Sequence, residues 1–169
     1  MNNEIIAAVN YNLNQANELL TQIDTEIYTN DTVGPFFSSI GSHLRHTLDF
    51  FNCLIDGLDG NKIDLTARKR DNTIATNVTA AKNLIRTIQE TLFRFKDINT
   101  NYLVHVTDNL GLGNTEINYT LESVLSHANS HMIHHFAMIG YILDALDTKL
   151  YIEGFGYNAS TPEEQRKKN

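Results

Sequence analysis

Residues 126–142, SHANSHMIHHFAMIGYI, hold four of the seven histidines of the chain within nine positions. Three of them, His127, His131 and His135, recur every fourth residue, so on an α-helix they form one slowly drifting stripe. A His pair at i and i+4 sets two imidazoles one turn apart on the same face, close enough for both to reach one ion at about 2.0–2.1 Å. At roughly 100° per residue, Val124, Ala128, Met138 and Ile142 fall within about 60° of the bisector of His131 and His135. The pair therefore faces the interior, where a polar group without a partner costs on the order of 1–3 kcal/mol.

Working outward from this helix, which Thr120 or Ser123 begins and which runs to about Leu146, the chain repeats helical spacing three more times. Over residues 3–27, Ile5, Ile6, Val9, Leu13, Ala16, Leu19, Leu20 and Ile23 keep the period with no Gly or Pro between them. Asn30, Asp31, Gly34 and Pro35 then mark a loop. Ser38 or Ser39 caps a second helix to about Leu58, with Ile40, Leu44, Thr47, Phe51, Leu54, Ile55 and Leu58 inward. His43 lies at the edge of that face. His46 lies roughly 120° from Ile40, in the seam with a neighbouring helix. Residues 57–65 read as a turn or short extended link, and a third helix follows over residues 72–95. Residues 102–107 alternate as a strand does, and residues 116–120 return as the partner in a hairpin that packs across the end of the helices. Residues 150–169 read as an extended tail that frays. Four helices of roughly 20 to 27 residues describe a single-domain, all-α four-helix bundle.

The composition bounds what such a bundle does. A chain of 169 residues with 41% hydrophobic content supports one sizeable core. A formal charge of −7 and a pI near 5.4 argue against nucleic acid as a partner, and the densest internal basic run, Arg68, Lys69 and Arg70, reads as a solvated loop or helix start. Cys53 is the single cysteine, so no intramolecular disulfide forms, and its apolar surroundings make it a packing residue rather than a nucleophile. No signal sequence or membrane span is evident, which leads us to expect a cytoplasmic protein without a membrane partner. A dinuclear iron bundle needs inward carboxylates with Glu-x-x-His pairs, and no helix supplies one.

At Ser39-Ile40-Gly41-Ser42-His43-Leu44-Arg45-His46 and again at His131-Met132-Ile133-His134-His135-Phe136, the sequence resembles the DinB/YfiT-like superfamily of four-helix-bundle metalloenzymes. The resemblance spans most of the chain. It implies that one histidine of the second helix and a His-x-x-x-His pair of the last helix bind one divalent ion, zinc or nickel, with positions left open for water or substrate. Carried over, the second-helix ligand falls on His46, seven positions after Ser39, and the pair falls on His131 and His135. Periodicity alone favours His43 as the inward residue, so His43 stands as a supporting or alternative ligand. Characterised members of the superfamily include thiol-dependent transferases and mycothiol-dependent maleylpyruvate isomerases. The resemblance thus implies a metal-dependent hydrolase or thiol transferase acting on a small molecule, with a low-molecular-weight thiol as a further cofactor and a homodimer as the assembly. The other reading is a non-catalytic bundle in which the ion staples two helices and the protein serves interaction or stress binding.

Each neighbouring polar residue carries its own expectation. Asp49 and Asp144 are candidates to orient a ligand's second ring nitrogen. His127 reads as a partly buried residue of the first turns, His134 as an interhelical or dimer-surface group, and His105 as solvent-facing. Tyr119 and Tyr141 read as packing residues.

Overall fold

The computed structural model describes residues 3–166. Its long helices are α1 (Glu4–Gln22), α3 (Ile40–Gly57), α5 (Val78–Phe93) and α6 (Leu121–Ala145); short helical segments α2 (Thr25–Thr29), α4 (Asn72–Thr76) and α7 (Glu163–Arg166) lie between or after them. Strands β1 (Lys62–Asp64), β2 (Leu103–Asn109) and β3 (Asn114–Thr120) form one small sheet in that order. The fold is thus mostly helical with a three-stranded sheet, which meets in part the expected all-α four-helix bundle with a hairpin before its last helix. The long helices pack as a ring, α1 on α5 and α6, and α3 on α5 and α6.

Polar caps explain why the expected helices are shorter and more numerous. Asp24 breaks the first one by accepting from the Ile27 amide at 2.8 Å, which starts α2 as a separate turn. Asn77 leaves the helical region at φ −130°, ψ 108°, closes α4 and accepts from the Ala80 amide to open α5. Apolar spacing runs on through that point, so periodicity alone reads one helix where two meet. Asn is a good cap and an indifferent helix interior, and the cap prevails.

The sheet exceeds the expected hairpin by one strand. β2 and β3 pair antiparallel from Leu103 opposite Thr120 to Asn109 opposite Asn114, so the return strand starts two residues before the expected position. β1 adds to β2 in parallel, Ile63 opposite Val106, and both side chains are buried. β1 packs on α3, and β3 runs directly into α6 through Thr120, whose side chain accepts from the Ser123 amide. The strand therefore fixes where α6, with its histidines, begins.

One apolar cluster joins all four long helices and the sheet, with Leu13, Leu44, Phe51, Ile85, Val106, Met132 and Phe136 fully enclosed. The segment after α6 does not fray. Phe155 is buried and stacks on Phe136 at 4.6 Å, and Gln15 and Gln22 donate to the Glu153 and Tyr151 carbonyls. The last three residues of the expected tail lie outside the described residues. Gly41, at the start of α3, is required by a close approach: a Cβ there would collide with the Ala75 carbonyl of α4. No helix among the described residues is long and apolar enough to cross a membrane.

Candidate metal centre

Helices α3 and α6 cross so that His46 meets His131 and His135. The three ring centroids form a near-equilateral triangle, with separations of 4.8, 4.8 and 4.7 Å, and one nitrogen from each lies within 4.8 Å of the others. His131 Nε2 and His46 Nε2 are 3.0 Å apart. Two imidazole nitrogens on one tetrahedral ion stand about 3.3–3.4 Å apart, given bonds of about 2.0–2.1 Å. Shifts of roughly an ångström thus convert this cluster into a three-nitrogen grip. All three residues are half-buried, so the cluster lies at the helix seam rather than in the centre of the core.

The donor set suits a divalent cation. Burial, followed by the charge of Arg68, holds His46 down at about 4. Burial, followed by neighbouring imidazoles, holds His131 at about 4 and His135 at about 3. Near neutral pH all three rings are uncharged and each offers a lone pair, the form a metal requires. Among the described residues these three make up the cluster with metal-ligand geometry.

Periodicity favours His43 and the motif His46, and the two residues take different places. His43 is the more deeply buried of the two α3 histidines, and its Nδ1 lies 2.9 Å from His135 Nδ1. It stands behind a cluster member and fixes that ring's orientation. Burial, then His134, lowers its own affinity for a proton. His46 stands within the cluster.

The remaining expectations divide. Asp49 is buried but pairs with Arg45 at 3.1 Å, not with a histidine. Burial raises its pKa, and Arg45 chief among the opposing groups lowers it. Asp144 is exposed near the far end of α6, away from the three rings. His127 is partly buried against Phe50 and Tyr119, its Nδ1 without a partner. His134, expected at an interhelical hydrogen bond or a dimer surface, is exposed, its ring edge-on to His135 with centroids 5.2 Å apart. His105 is exposed and bonds Asn118 across the hairpin. Cys53 is buried, as expected, and burial pushes its thiol up to about 11. Tyr141, expected to pack, is 75% exposed.

Two features escaped the sequence. Arg68, read as a solvated loop residue, is half-buried and directs Nη1 to His46 Nδ1 at 2.7 Å. A largely apolar cavity of about 330 Å³ lies between the α2–α3 loop and α6, walled by Phe36, Met138, Tyr141, Ile142 and His43. His43 therefore touches the cavity on one side and the histidine cluster on the other.

Comparison with known proteins agrees with this architecture. The crystal structure of YjoA, a DinB-like protein from Bacillus subtilis, superposes with a TM-score of 0.59 at 19% identity, over 89% of this chain and 96% of that one. That likeness is one of fold. No curated protein matches the chain. The model of the DinB family matches residues 1–164, nearly the whole sequence, and the chain belongs to the DinB family.

Proposed function

We propose that this protein is a metal-dependent enzyme whose divalent ion, zinc or nickel, is held by His46, His131 and His135. The observation that carries the reading is the triangle of three neutral imidazoles from two helices, with no carboxylate among them. Held there, such an ion would supply Lewis-acid chemistry, lowering the proton affinity of a water or a small thiol. The chain contributes orientation and a dry wall. His43 holds the His135 ring through Nδ1, which leaves the Nε2 lone pair of that ring for the site. Phe50 lies against His131 at 5.4 Å and restricts water on that side. The cavity beside His43 is at the small end of the range that takes organic ligands, about 300–1,000 Å³.

The reaction class is hydrolysis or thiol-dependent group transfer on a small organic molecule. The thiol is an external one, because Cys53 is buried and held protonated. The test is metal analysis of the purified protein after dialysis with zinc or nickel, paired with turnover of ester and thiol-reactive electrophile probes with and without a low-molecular-weight thiol. One equivalent of metal and turnover that chelation abolishes are expected. One equivalent of metal with no turnover of any probe favours the stapling role instead.

A further inference from the structure

Arg68 sits in the loop between β1 and α4, and that loop is anchored immediately after it. Lys69 pairs with Asp56 at 2.9 Å, and the Arg70 backbone amide donates to the buried Asp49. The guanidinium is thereby delivered to His46, with Nη1 2.7 Å from Nδ1. A guanidinium has donors only and stays charged. His46 Nδ1 must therefore be the accepting lone pair, which places the proton of that neutral ring on Nε2, toward His131.

This arrangement and a bound ion exclude each other. An ion between the facing Nε2 atoms needs the lone pair there, which moves the proton to Nδ1 and sets two N–H groups against each other. An ion on Nδ1 would occupy the place of Arg68 itself. In either case Arg68 leaves its acceptor when the site is filled. Its Nε is already buried without a partner. The nearby carboxylates are committed, Asp49 to Arg45 and Asp56 to Lys69. A freed guanidinium beside a divalent cation, with the nearby carboxylates among the described residues already paired, calls for an anion from outside.

Building on the metal reading above, we propose that Arg68 is the residue that recognises an organic carboxylate on the ligand of this site, and that filling the metal site releases it from His46 for that role. The carboxylate is preferred to inorganic phosphate because the apolar cavity on the other side of His43, lined by His43 but not by Arg68 or the three clustered histidines, suits an organic body. The planar fork of Arg68 suits a two-oxygen acceptor.

The two events are then linked: an anion that draws Arg68 away from His46 favours the ion, and the ion favours the anion by the same factor. The experiment is zinc affinity of the full chain by competition with a chromophoric chelator, in potassium chloride and in potassium acetate of equal ionic strength. Wild type, Arg68→Ala and Arg68→Gln are compared, with circular dichroism as the check on folding. Without acetate, Arg68→Ala binds zinc about tenfold more tightly, because a competing charge-assisted hydrogen bond is gone. Arg68→Gln binds at least as tightly as Arg68→Ala, since its amide oxygen accepts from His46 Nδ1–H. Acetate tightens zinc binding in wild type by several-fold more than in either variant. Zinc affinity unchanged or weakened in both variants, or an equal acetate effect in all three proteins, overturns the proposal and leaves the metal reading standing. Absence of zinc binding in all three proteins overturns both.

Discussion

Two members of the histidine cluster, His135 on α6 and His46 on α3, are backed by chemically different neighbours. Behind His135 stands the imidazole of His43, which can accept or donate at Nδ1 according to its tautomer. Behind His46 stands the guanidinium of Arg68, which can only donate. One side of the cluster is therefore compatible with an ion as it stands, and the other must rearrange. The His43 side is rigid because both residues lie on long packed helices, α3 and α6. The Arg68 side rests on a loop, the part of a fold that can move without breaking the core.

The sharpest way to break the comparison is to remove a shared element. His131→Ala and His135→Ala should each lower zinc affinity by more than about 100-fold, since loss of a direct ligand exceeds the 10–100-fold typical of an outer partner. Calorimetric titration of the two variants measures it, with unchanged helical circular dichroism as the expected control. Retention of tight, one-to-one zinc binding by both would remove the cluster from consideration.

The next effect separates the two sides. His43→Ala should weaken zinc by about 10–100-fold, because His135 loses the group that fixes its ring. Arg68→Ala, by contrast, should strengthen zinc binding. Opposite signs for two neighbouring residues are not the outcome of a general loosening of the site. His43→Gln, with an oxygen able to accept from His135 Nδ1–H, should recover part of the loss. Equal losses in all three variants would dissolve the distinction between the two sides.

These two sides were unequally legible in the sequence. His131 and His135 could be read because a one-turn repeat on a long periodic helix survives folding unchanged. His43 and His46 stand as rivals in the sequence; periodicity singles out the one that is buried, and the motif the one that folding brings beside His131 and His135. Arg68 was missed because nothing local distinguishes an arginine aimed at a histidine twenty-two positions earlier from one in water. Its placement depends on β1, a strand of three residues with one buried side chain, Ile63, too short for alternation to register. The break at Asn77 was hidden for the opposite reason, since strong apolar spacing ran through it. The docked segment around Phe155 carried glycines and charges that suggest fraying, while one aromatic stacked on Phe136 decides the matter.

A smaller effect follows from the proton affinities. In the unfolded chain these histidines titrate near 6.5; in the folded, metal-free protein His46 and His131 are lowered to about 4 and His135 to about 3. The unfolded state thus binds more protons between these values, so stability rises with pH. Protein stripped of metal should be fully stable in this respect above about pH 6.5 and should lose stability progressively as the pH falls toward 4. Urea unfolding across that range measures the slope, and His135→Ala should flatten it. A wild-type slope that His135→Ala leaves unaltered would mean that other groups carry the acid sensitivity.

The smallest effect concerns the residue that neither side uses. Cys53 lies on α3 about two turns beyond His46, buried, with its thiol raised to about 11 by burial first and by Asp49 next. A thiolate near neutral pH would compete with the imidazoles for a soft divalent ion, and a protonated, enclosed thiol does not. Cys53→Ala should therefore leave zinc affinity within about twofold of wild type while costing some stability through the lost packing atom. Reaction of native protein with a thiol-modifying reagent at pH 7 should be slow and should accelerate only on unfolding. Rapid modification of the native protein, or a zinc loss comparable with that of His43→Ala, would place a resident thiol at the centre and remove the reason for drawing the nucleophile from solution.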